Sequence, residues 1–564
     1  MVLNKGWVTS LGKFIQRMKR NLQSTKHQMM KVDWRSIIFF VMVFLLLRYM
    51  MIKRQENSVD VFDAYQDYAP AIARSNKLTA KQKVASVVQQ GSSQHEEIKY
   101  GQAKTEAAPT VVKVPTTKAV LDSKYDKYKH FKCNLKPPVK RKHVEPLIKL
   151  DKTKFLFPLL VNGPNNQILG LRDSIYLAIK LNRTLIIPYF IKHKTDSSGA
   201  FDQVPAEARM DVDELKVLIP TVPHAQLQQV CRNKVDSVFL SEVSKNMHAA
   251  LPYERISKLA GLNVDKPKDS SPGVEMLPRN EHDLIIKLND INVPKLRNMY
   301  KSNGRCAVYV HPFRTVGAHE SSPKMREAKI ILEDYEKNNI RTQYDQKDEE
   351  LVYSLGFMST GHPQFVKQIA DEFRNKVMHD ASVLAVHYRF DPNDWMIRCA
   401  KPSGNTVEIN KMCQQLDKIK PIDIANGLFA YINGLSRGKT VQVQAIYFAA
   451  PLTLSNLISE VRVLFDKNVA KNYGTKIPIF TYVDLEKFLG KYINCQHVGN
   501  NFEDVLSLVE MEICLKSISF ISSQSSSWSN IVMRHRVANK VMKHDSHTLM
   551  VVWEAYLERT KGNS

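Results

Sequence analysis

The pattern over residues 155–191 constrains the fold more than any other feature of this sequence. Phe155 to Leu160 is a short apolar run, a turn-forming stretch follows it, and a helical pattern then covers Ile168 to Leu181. A second apolar run, TLIIPYFI, covers Thr184 to Ile191. Strand, turn, helix and strand in this order predict the opening of a parallel α/β sheet. Such sheets bind ligands at the carboxyl ends of their strands, so we expect the chemistry in the loops at that edge.

An apolar segment precedes this pattern at residues 36–52 and is interrupted only by Arg48. Seventeen helical residues span roughly 25 Å, which suits a thin bilayer. A cleaved signal peptide and a buried core helix are the alternatives. The long preceding segment, the absence of a small-x-small site and the polar flanks favour a transmembrane helix. Basic residues before the segment favour a cytoplasmic tail at 1–35 and a signal anchor at 36–52, and hence a type II protein of the endoplasmic reticulum or Golgi membrane whose later residues are lumenal.

The net charge of +25 is concentrated near the N-terminus. Residues 1–150 hold 28 Lys and Arg against 11 Asp and Glu, so the other 414 residues carry only +8. Proteins that bind nucleic acid concentrate basic residues in their folded part, and we therefore expect no nucleic-acid partner. Residues 53–149 are rich in Lys, Gln, Ser and Thr with little periodicity, which predicts a flexible stem.

All cysteines follow the apolar segment, and none forms a C-x-x-C pair, which argues against a zinc ribbon or a thioredoxin-like site. In a lumenal protein they would form up to three disulfides with one thiol left over. The seven are Cys133, Cys231, Cys306, Cys399, Cys413, Cys495 and Cys514.

The loop N-G-P-N-N-Q follows the first apolar run and falls at the ligand-binding edge of the predicted sheet. Gly163 and Pro164 predict a tight turn. Asn165, Asn166 and Gln167 offer neutral hydrogen-bond donors and acceptors there. A plain turn without function is the alternative.

Two further apolar runs end in polar groups. Val383 to Val386 is followed by His387 and Arg389, and the guanidinium of Arg389 has the fork geometry that binds a diphosphate. A structural ion pair is the alternative. Ile518 to Ile521 is followed by six residues rich in serine and then by a helical pattern from Trp528 to Arg536. A serine loop that enters a helix binds anions through hydroxyl and backbone N–H groups, although a plain serine-rich turn has the same pattern.

The three blocks together resemble those of the GDP-fucose O-fucosyltransferase family, of both the animal protein type and the plant type. N-G-P-N-N-Q, followed by L-N-R-T-L-I-I-P, is similar to its first block. V-H-Y-R-F-D is similar to its H-x-R block, and S-S-S-W-S-N-I-V-M-R-H-R to its third. The resemblance covers about residues 155–540 in the family's order. It implies that Asn166 lies beside the reacting sugar and that Arg389 binds GDP-fucose and supports the departure of GDP.

An acidic residue follows the H-x-R block in the family, and Asp391 and Asp394 are the two candidates here. The family often has an Asp where this chain has Glu510. It also often has a polar pair where this chain has Ala449-Ala450-Pro451, so one wall of the nucleotide pocket is expected to differ. The residues that we assign to donor binding are Gly163, Asn165, Gln167, His387, Glu510, Ser525, Ser526 and Ser527.

The fold that the resemblance implies is α/β and GT-B-like, with two Rossmann-like domains at 150–365 and 366–550 that face a cleft, and a tail at 551–564. The implied reaction is the inverting transfer of fucose from GDP-fucose to a hydroxyl of a protein or glycan. Arg389 and the serine loop would stabilise the leaving diphosphate, so no metal or other cofactor is expected. Asp211-Val212-Asp213 opens a helical pattern and is predicted to be a helix cap.

The group that accepts the acceptor's proton stays open among Asp391, Asp394 and His387. A second hypothesis is a non-catalytic lumenal protein of the same fold that binds a glycan or another enzyme, and Ala450-Pro451 favours it. A third is a transferase of the same fold that uses another nucleotide sugar.

Overall fold

The computed structural model describes residues 128, 130–137, 145–160, 163–191, 203–240, 260–262, 286–287, 304–310, 312, 316–317, 324–341, 344–389, 418–437, 442–473, 476–523, 526–541 and 545–561. The predicted cytoplasmic tail at 1–35, the signal anchor and most of the stem lie outside these ranges, as do Asp391, Asp394 and Ser525. The expectations for them stay predictions. No helix within the described ranges has the length and apolar character needed to cross a membrane.

The strands of the described residues are numbered in chain order. They are β1 Phe155–Leu159, β2 Thr184–Ile186, β3 Phe190–Ile191, β4 Gln203–Val204, β5 Thr221–Val222, β6 Ser237–Leu240, β7 Ile286–Lys287, β8 Cys306–Val310, β9 Val316–Gly317, β10 Val383–His387, β11 Ala445–Ala449, β12 Ile479–Thr481, β13 Ser519–Ser522 and β14 Ser546–His547.

The α-helices are numbered in the same way. They are α1 Pro164–Lys180, α2 Val212–Leu218, α3 Leu227–Cys231, α4 Lys324–Asn338, α5 Glu349–Met358, α6 Gln364–Lys376, α7 Pro421–Arg437, α8 Ser455–Tyr473, α9 Tyr482–Leu489, α10 Gln496–Gly499, α11 Phe502–Leu515, α12 Ser527–Ala538 and α13 Thr548–Lys561.

Two five-stranded parallel sheets organise the fold. The first has the order β5-β2-β1-β8-β6, and the second has the order β12-β11-β10-β13-β14. All five residues of β1, and all five of β10, are buried. Parallel sheets are covered on both faces, so their strands are continuous apolar runs rather than alternating ones. The predicted α/β class with parallel sheets is confirmed, and the two sheets fall within the two predicted halves.

Helix α1 begins earlier than the sequence pattern predicted. We expected Asn165 to Gln167 in a loop, whereas the helix begins at Pro164 and Gly163 is its N-cap in extended backbone. Proline is well suited to the first helical position, because its fixed φ matches the helix and its missing N–H would have no partner there. The asparagines therefore lie in the first helical turn and not in a free loop.

The apolar run from Thr184 to Ile191 is also divided. Strand β2 ends at Ile186, and the chain then passes Pro188 before β3, which pairs antiparallel with β4 outside the first sheet. Proline has no N–H for a sheet ladder, which accounts for the break in a run that we had predicted as one strand.

The two halves pack closely on one another. All the described residues belong to one compact unit, and the main apolar core contains side chains from both sheets, such as Leu156 and Phe520. Helix α12 of the second half packs on α1 and α4 of the first. The predicted boundary between residues 365 and 366 stays a prediction.

The two ends of the predicted folded region differ from expectation. The last part of the predicted stem is packed, because Cys133 forms a disulfide with Cys495 and Leu147 lies buried with its N–H bonded to the carbonyl of Val217. The predicted tail at 551–564 is largely the helix α13, whose Trp553 is buried. Packing against the second half, which the sequence does not show, therefore orders residues at both ends.

Cysteine pairing is partly resolved by the fold. Besides the bond between Cys133 and Cys495, Cys231 pairs with Cys306, and Cys514 is a free buried thiol. Cys399 and Cys413 lie outside the described residues, so the expected third disulfide stays a prediction.

Candidate active site

A cleft of about 530 Å³ lies at the carboxyl ends of strands from both sheets. It brings together residues from all three sequence blocks and from α11. The predicted site residues that line it are Gly163, Asn165, Asn166, His387, Arg389, Glu510 and Ser527. Parallel α/β sheets bind ligands at this edge, so the expected location of the site agrees with the cleft.

The first helical turn of α1 forms one wall of the cleft. No side chain caps this helix, and its first turn contains no acidic residue. Within the described part of the chain, no side chain caps its first N–H groups, which carry the partial positive charge of the helix N-terminus. Asn165 and Asn166 are half-buried on this turn and line the cleft. This wall suits an anionic or polyhydroxyl ligand.

Gln167 is placed differently from its neighbours. Its side chain is buried, its Nε2 donates to the carbonyl of Ile191 at 2.7 Å, and its Oε1 accepts from the N–H of Ile191 at 2.7 Å. Both hydrogen-bonding ends of the amide are thus used to hold strand β3. Gln167 does not line the cleft, and in this structure its amide holds β3. Its assignment to donor binding stays a prediction.

His387 closes strand β10 at the base of the cleft and is buried. Its ring stacks on Trp528 at 4.2 Å between centroids, and its Nδ1 shares a hydrogen bond of 2.7 Å with Oγ of Ser529. Burial, with a smaller contribution from the positive charge of Arg389, lowers the pKa of His387 to about 3. The ring is therefore neutral at physiological pH, and it is a weak candidate for accepting the acceptor's proton.

Arg389 lies two residues beyond the end of β10, exposed at the cleft. Its backbone carbonyl accepts a hydrogen bond of 2.9 Å from Oγ of Ser523, which ties the ends of β10 and β13 together. Among the described residues, none accepts a hydrogen bond from its guanidinium or forms an ion pair with it. The structural ion pair therefore has no partner for Arg389 among the described residues, while Asp391 and Asp394 lie outside them.

The two described serines at the start of α12, Ser526 and Ser527, differ in burial, because Ser526 is buried and Ser527 is half-buried. Ser526 is the N-cap of α12, and its buried hydroxyl accepts from the N–H of Ser529 at 3.5 Å. Ser527 is the first residue of the helix and lines the cleft. The first turn of α12 contains no acidic residue. A second helix N-terminus therefore meets the cleft, as the anion-binding interpretation of this block requires.

Glu510 lies on α11, where its carboxyl group is buried at the wall of the cleft. The hydroxyl of Tyr447 donates to its Oε1 at 2.9 Å. Burial raises the pKa of Glu510 to about 8, although the hydrogen bond from Tyr447 partly opposes this. The group is therefore protonated at neutral pH, and a protonated carboxyl group can donate a hydrogen bond to a ligand.

The cleft also contains residues that the sequence patterns did not reveal. Ala449, Ala450 and Pro451 line it and form the apolar wall where the family often has a polar pair. Other lining residues that we did not predict are Arg209, Tyr482, Glu503, Asp504, Ser507 and Trp528. Asp504 and Glu503 lie in the first turn of α11, a position that the helical pattern could have indicated. Arg209 belongs to no motif, and only the folded chain brings it to the cleft.

Asp211 is the N-cap of α2, and its Oδ1 accepts from the N–H groups of Asp213 and Glu214 at 3.1 and 3.2 Å. The predicted capping role is confirmed. Within the ranges that the structure describes, no group of three or more His, Cys, Asp or Glu side chains is placed to hold a metal ion. Independence from metals stays a prediction.

Comparison with known proteins gives likeness at the level of structure alone. No family model and no curated protein matches this chain. Among solved structures, POFUT1 in complex with GDP-fucose has a TM-score of 0.43 at 13% identity, over 70% of this chain and 98% of that one. The fucosyltransferase NodZ from Bradyrhizobium has a TM-score of 0.31 at 11% identity, over 70% of this chain and 94% of that one.

A variant of Arabidopsis thaliana FUT1 in complex with GDP has a TM-score of 0.29 at 10% identity, over 74% of this chain and 73% of that one. The TM-scores of these three structures lie below 0.5, a level of likeness from which neither fold nor function follows.

Proposed function

We propose that this protein is a glycosyltransferase that transfers fucose, with inversion, from GDP-fucose to a hydroxyl of a protein or glycan. One observation carries the proposal. Asn166, Arg389 and Ser527 come from three blocks far apart in the sequence, and all three line one cleft. These are the blocks that resemble the GDP-fucose O-fucosyltransferases, so the residues that the resemblance assigns to the donor meet where a donor can bind.

The charges around the cleft suit a sugar diphosphate. The helix N-termini of α1 and α12 both meet it without an acidic residue in the first turn, and Arg389 adds a full positive charge. As the bond to the sugar breaks, negative charge develops on the diphosphate. Hydrogen-bond donors of the protein that are already in place stabilise that charge without reorganisation. Each typically contributes about 10²–10³ to the rate. We assign the diphosphate to Arg389, Ser527 and the N-terminus of α12.

The other predicted residues take supporting roles in this scheme. Asn166, on the first turn of α1, hydrogen-bonds the reacting sugar, and Gly163 and Asn165 shape the wall beside it. The carboxyl group of Glu510, protonated at neutral pH, donates a hydrogen bond to GDP-fucose. His387 is neutral and packed against Trp528, so it shapes the base of the cleft. Asp391 and Asp394 stay the candidates for the acceptor's proton.

We also propose that the protein is anchored by residues 36–52 in the endoplasmic reticulum or Golgi membrane with its catalytic part in the lumen. The two disulfides support this location, because disulfides persist in oxidising compartments such as the lumen of the secretory pathway. The test is protease treatment of intact microsomes, which should spare residues after about 55 in this topology. Digestion of the C-terminal part without detergent would contradict it.

The second candidate function is binding of a nucleotide sugar or glycan without catalysis. The wall formed by Ala449, Ala450 and Pro451 favours it, because this wall offers no side-chain hydrogen bond to a nucleotide. The two functions differ in one observable, since a transferase releases GDP from GDP-fucose over time and a binding protein does not.

The proposal is tested by titrating the purified full-length protein with GDP, GMP and UDP in a calorimeter and by following its melting temperature. We expect GDP to bind more tightly than GMP, because GMP lacks the phosphate assigned to Arg389. At about 100 times its Kd, GDP should add about 2.7 kcal/mol to the free energy of unfolding. Equal affinity for GDP and GMP, or no binding of either, would contradict the proposed site.

A further inference from the structure

Arg209 and Asp504 form an ion pair in the wall of the cleft that joins the two halves of the chain. Arg209 lies between a short 3₁₀ turn and α2, and Asp504 lies in the first turn of α11. The Nη2 of Arg209 donates to Oδ1 of Asp504 at 2.7 Å. Both side chains are more than nine-tenths buried, at 2% and 8% exposed, and both residues line the cleft.

Each partner of this pair keeps hydrogen-bonding capacity that the described residues do not use. Nε and Nη1 of Arg209 have no acceptor among them, and Oδ2 of Asp504 has no donor. Buried polar atoms without partners are rare, and each is unfavourable for folding. A pair that leaves three such atoms at a ligand cleft suggests that a ligand supplies the missing partners.

The position of Arg209 is fixed by the fold around it. Its guanidinium carbon lies 5.3 Å from the ring centroid of Phe190. Phe190 belongs to strand β3, whose next residue, Ile191, is held by both ends of the Gln167 amide. The first sequence block therefore positions Arg209 through β3, although Arg209 lies outside that block.

The unused atoms have the pattern that sugar hydroxyls require. N–H donors of Arg209 lie beside a carboxylate acceptor of Asp504, and a hydroxyl both donates and accepts a hydrogen bond. Neighbouring hydroxyls of a sugar ring can therefore satisfy both residues at once. A phosphate would suit Arg209 alone, because the carboxylates of Asp504 and Glu503, which also lines the cleft, would repel it. The anion-binding groups are those of Arg389 and α12.

We propose that Arg209 and Asp504 together bind neighbouring hydroxyls of the sugar that is transferred, and so help to determine which sugar the cleft accepts. The inference rests on the proposed function, because it divides the same cleft into a diphosphate part and a sugar part. Arg389 and Ser527 form the diphosphate part, and the ion pair forms the sugar part.

The test compares the affinities of the full-length protein for GDP-fucose and for GDP, measured by calorimetry under the same conditions. Two variants remove the sugar contacts in different ways. Asp504→Asn keeps the shape of the side chain and removes its charge. The double variant Arg209→Met with Asp504→Leu replaces the whole pair by apolar side chains of similar size, which avoids a buried unpaired charge and commonly preserves folding.

Asp423→Asn is the matched control. Asp423 is buried and pairs with Nε of Arg559 at 2.6 Å, between α7 and α13, and neither residue lines the cleft. The Asp423→Asn variant therefore loses a buried carboxylate that pairs with an arginine, here the half-buried Arg559, at a place away from the cleft. The melting temperature of each variant shows whether it is folded.

We expect both cleft variants to bind GDP about as well as the wild type and to bind GDP-fucose about 10 to 100 times more weakly, which is the usual effect of losing hydrogen bonds to a charged group. The Asp423→Asn control should bind both ligands as the wild type does. An unchanged ratio of the two affinities in folded cleft variants would overturn the sugar subsite and leave the proposed function standing. Failure of the wild type to bind either ligand would overturn the proposed function, and the subsite with it.

Discussion

Replacement of Glu510 by glutamine should make the stability of the protein less dependent on pH. Burial raises the pKa of Glu510 to about 8 in the folded protein, against an ordinary value of 4.5. Between these two values the folded chain keeps a proton that the unfolded chain has lost. The contribution of Glu510 to the free energy of unfolding is therefore greatest at low pH. It falls as pH rises above about 4.5 and levels off once pH exceeds about 8.

The size of the effect follows from the interval between the two pKa values. Over about 3.5 pH units, at about 1.4 kcal/mol per unit, ionisation of Glu510 costs the folded state on the order of 5 kcal/mol at pH 9. Glutamine stays neutral and can still accept the hydrogen bond from Tyr447. Glu510→Gln should thus match the wild type near pH 5 and exceed its free energy of unfolding by several kcal/mol at pH 9.

The assay is urea unfolding of the wild type and the variant at pH 5, 7 and 9. Glu512→Gln, on the same helix, provides a control, because the ionisation of Glu512 changes stability with pH in the opposite direction. Burial would raise the pKa of Glu512, but its hydrogen bond and charge attraction to His362, with smaller attraction from Lys516 and Lys367, outweigh burial and lower it. Its ionised form is therefore stabilising above about pH 4.5, and this stability is lost as pH falls through the lowered pKa. Identical pH profiles for the wild type and Glu510→Gln would refute the argument.

Three further outcomes are expected. Ser526→Ala should lower the free energy of unfolding by about 1 kcal/mol, because it removes an N-cap. Ser527→Ala should instead weaken GDP binding about tenfold with little change in stability. Equal effects of the two variants on stability and on GDP binding would argue against these separate roles. Gln167→Leu should lower stability by roughly 2–4 kcal/mol, because it leaves the N–H and C=O of Ile191 without partners, and a folded variant should keep GDP affinity within about threefold. EDTA should leave fucose transfer intact, and a loss that manganese restores would point to a metal-assisted reaction.

The sequence predicted the elements of the fold where a pattern was long or strongly apolar. The buried runs at Phe155 and Val383 predicted β1 and β10, because parallel strands buried on both faces leave an unbroken apolar run. The start of α1 was placed too late, since Asn165 and Asn166 favour turns and Pro164 reads as a turn residue as well as a first helical residue. The position of this helix start depends on Pro164 alone, because a proline suits both a turn and the first position of a helix.

The site was predicted where its residues follow a strand in the chain, and the family resemblance added Glu510 on α11. Arg389 and Ser527 follow β10 and β13 in the chain, so the topology of a parallel sheet places them at the ligand edge. Arg209 and Asp504 are 295 positions apart in the sequence. They meet at the cleft only because the two halves pack on each other, and no local pattern encodes that meeting. The pKa of Glu510 likewise depends on burial that the sequence does not show.

The measurement that tests the central claim most directly is turnover of GDP-fucose by the wild type and by Arg389→Lys, taken together with the melting temperature of the same samples. Lysine keeps the charge of arginine but loses the planar fork that contacts two phosphate oxygens. We expect the wild type to release GDP from GDP-fucose and transfer fucose to a hydroxyl acceptor. The variant should melt near the wild-type temperature with kcat lower by about 10²–10³ and KM changed less. A folded Arg389→Lys protein with the kcat of the wild type would contradict the assignment of the leaving diphosphate to Arg389 and to this cleft.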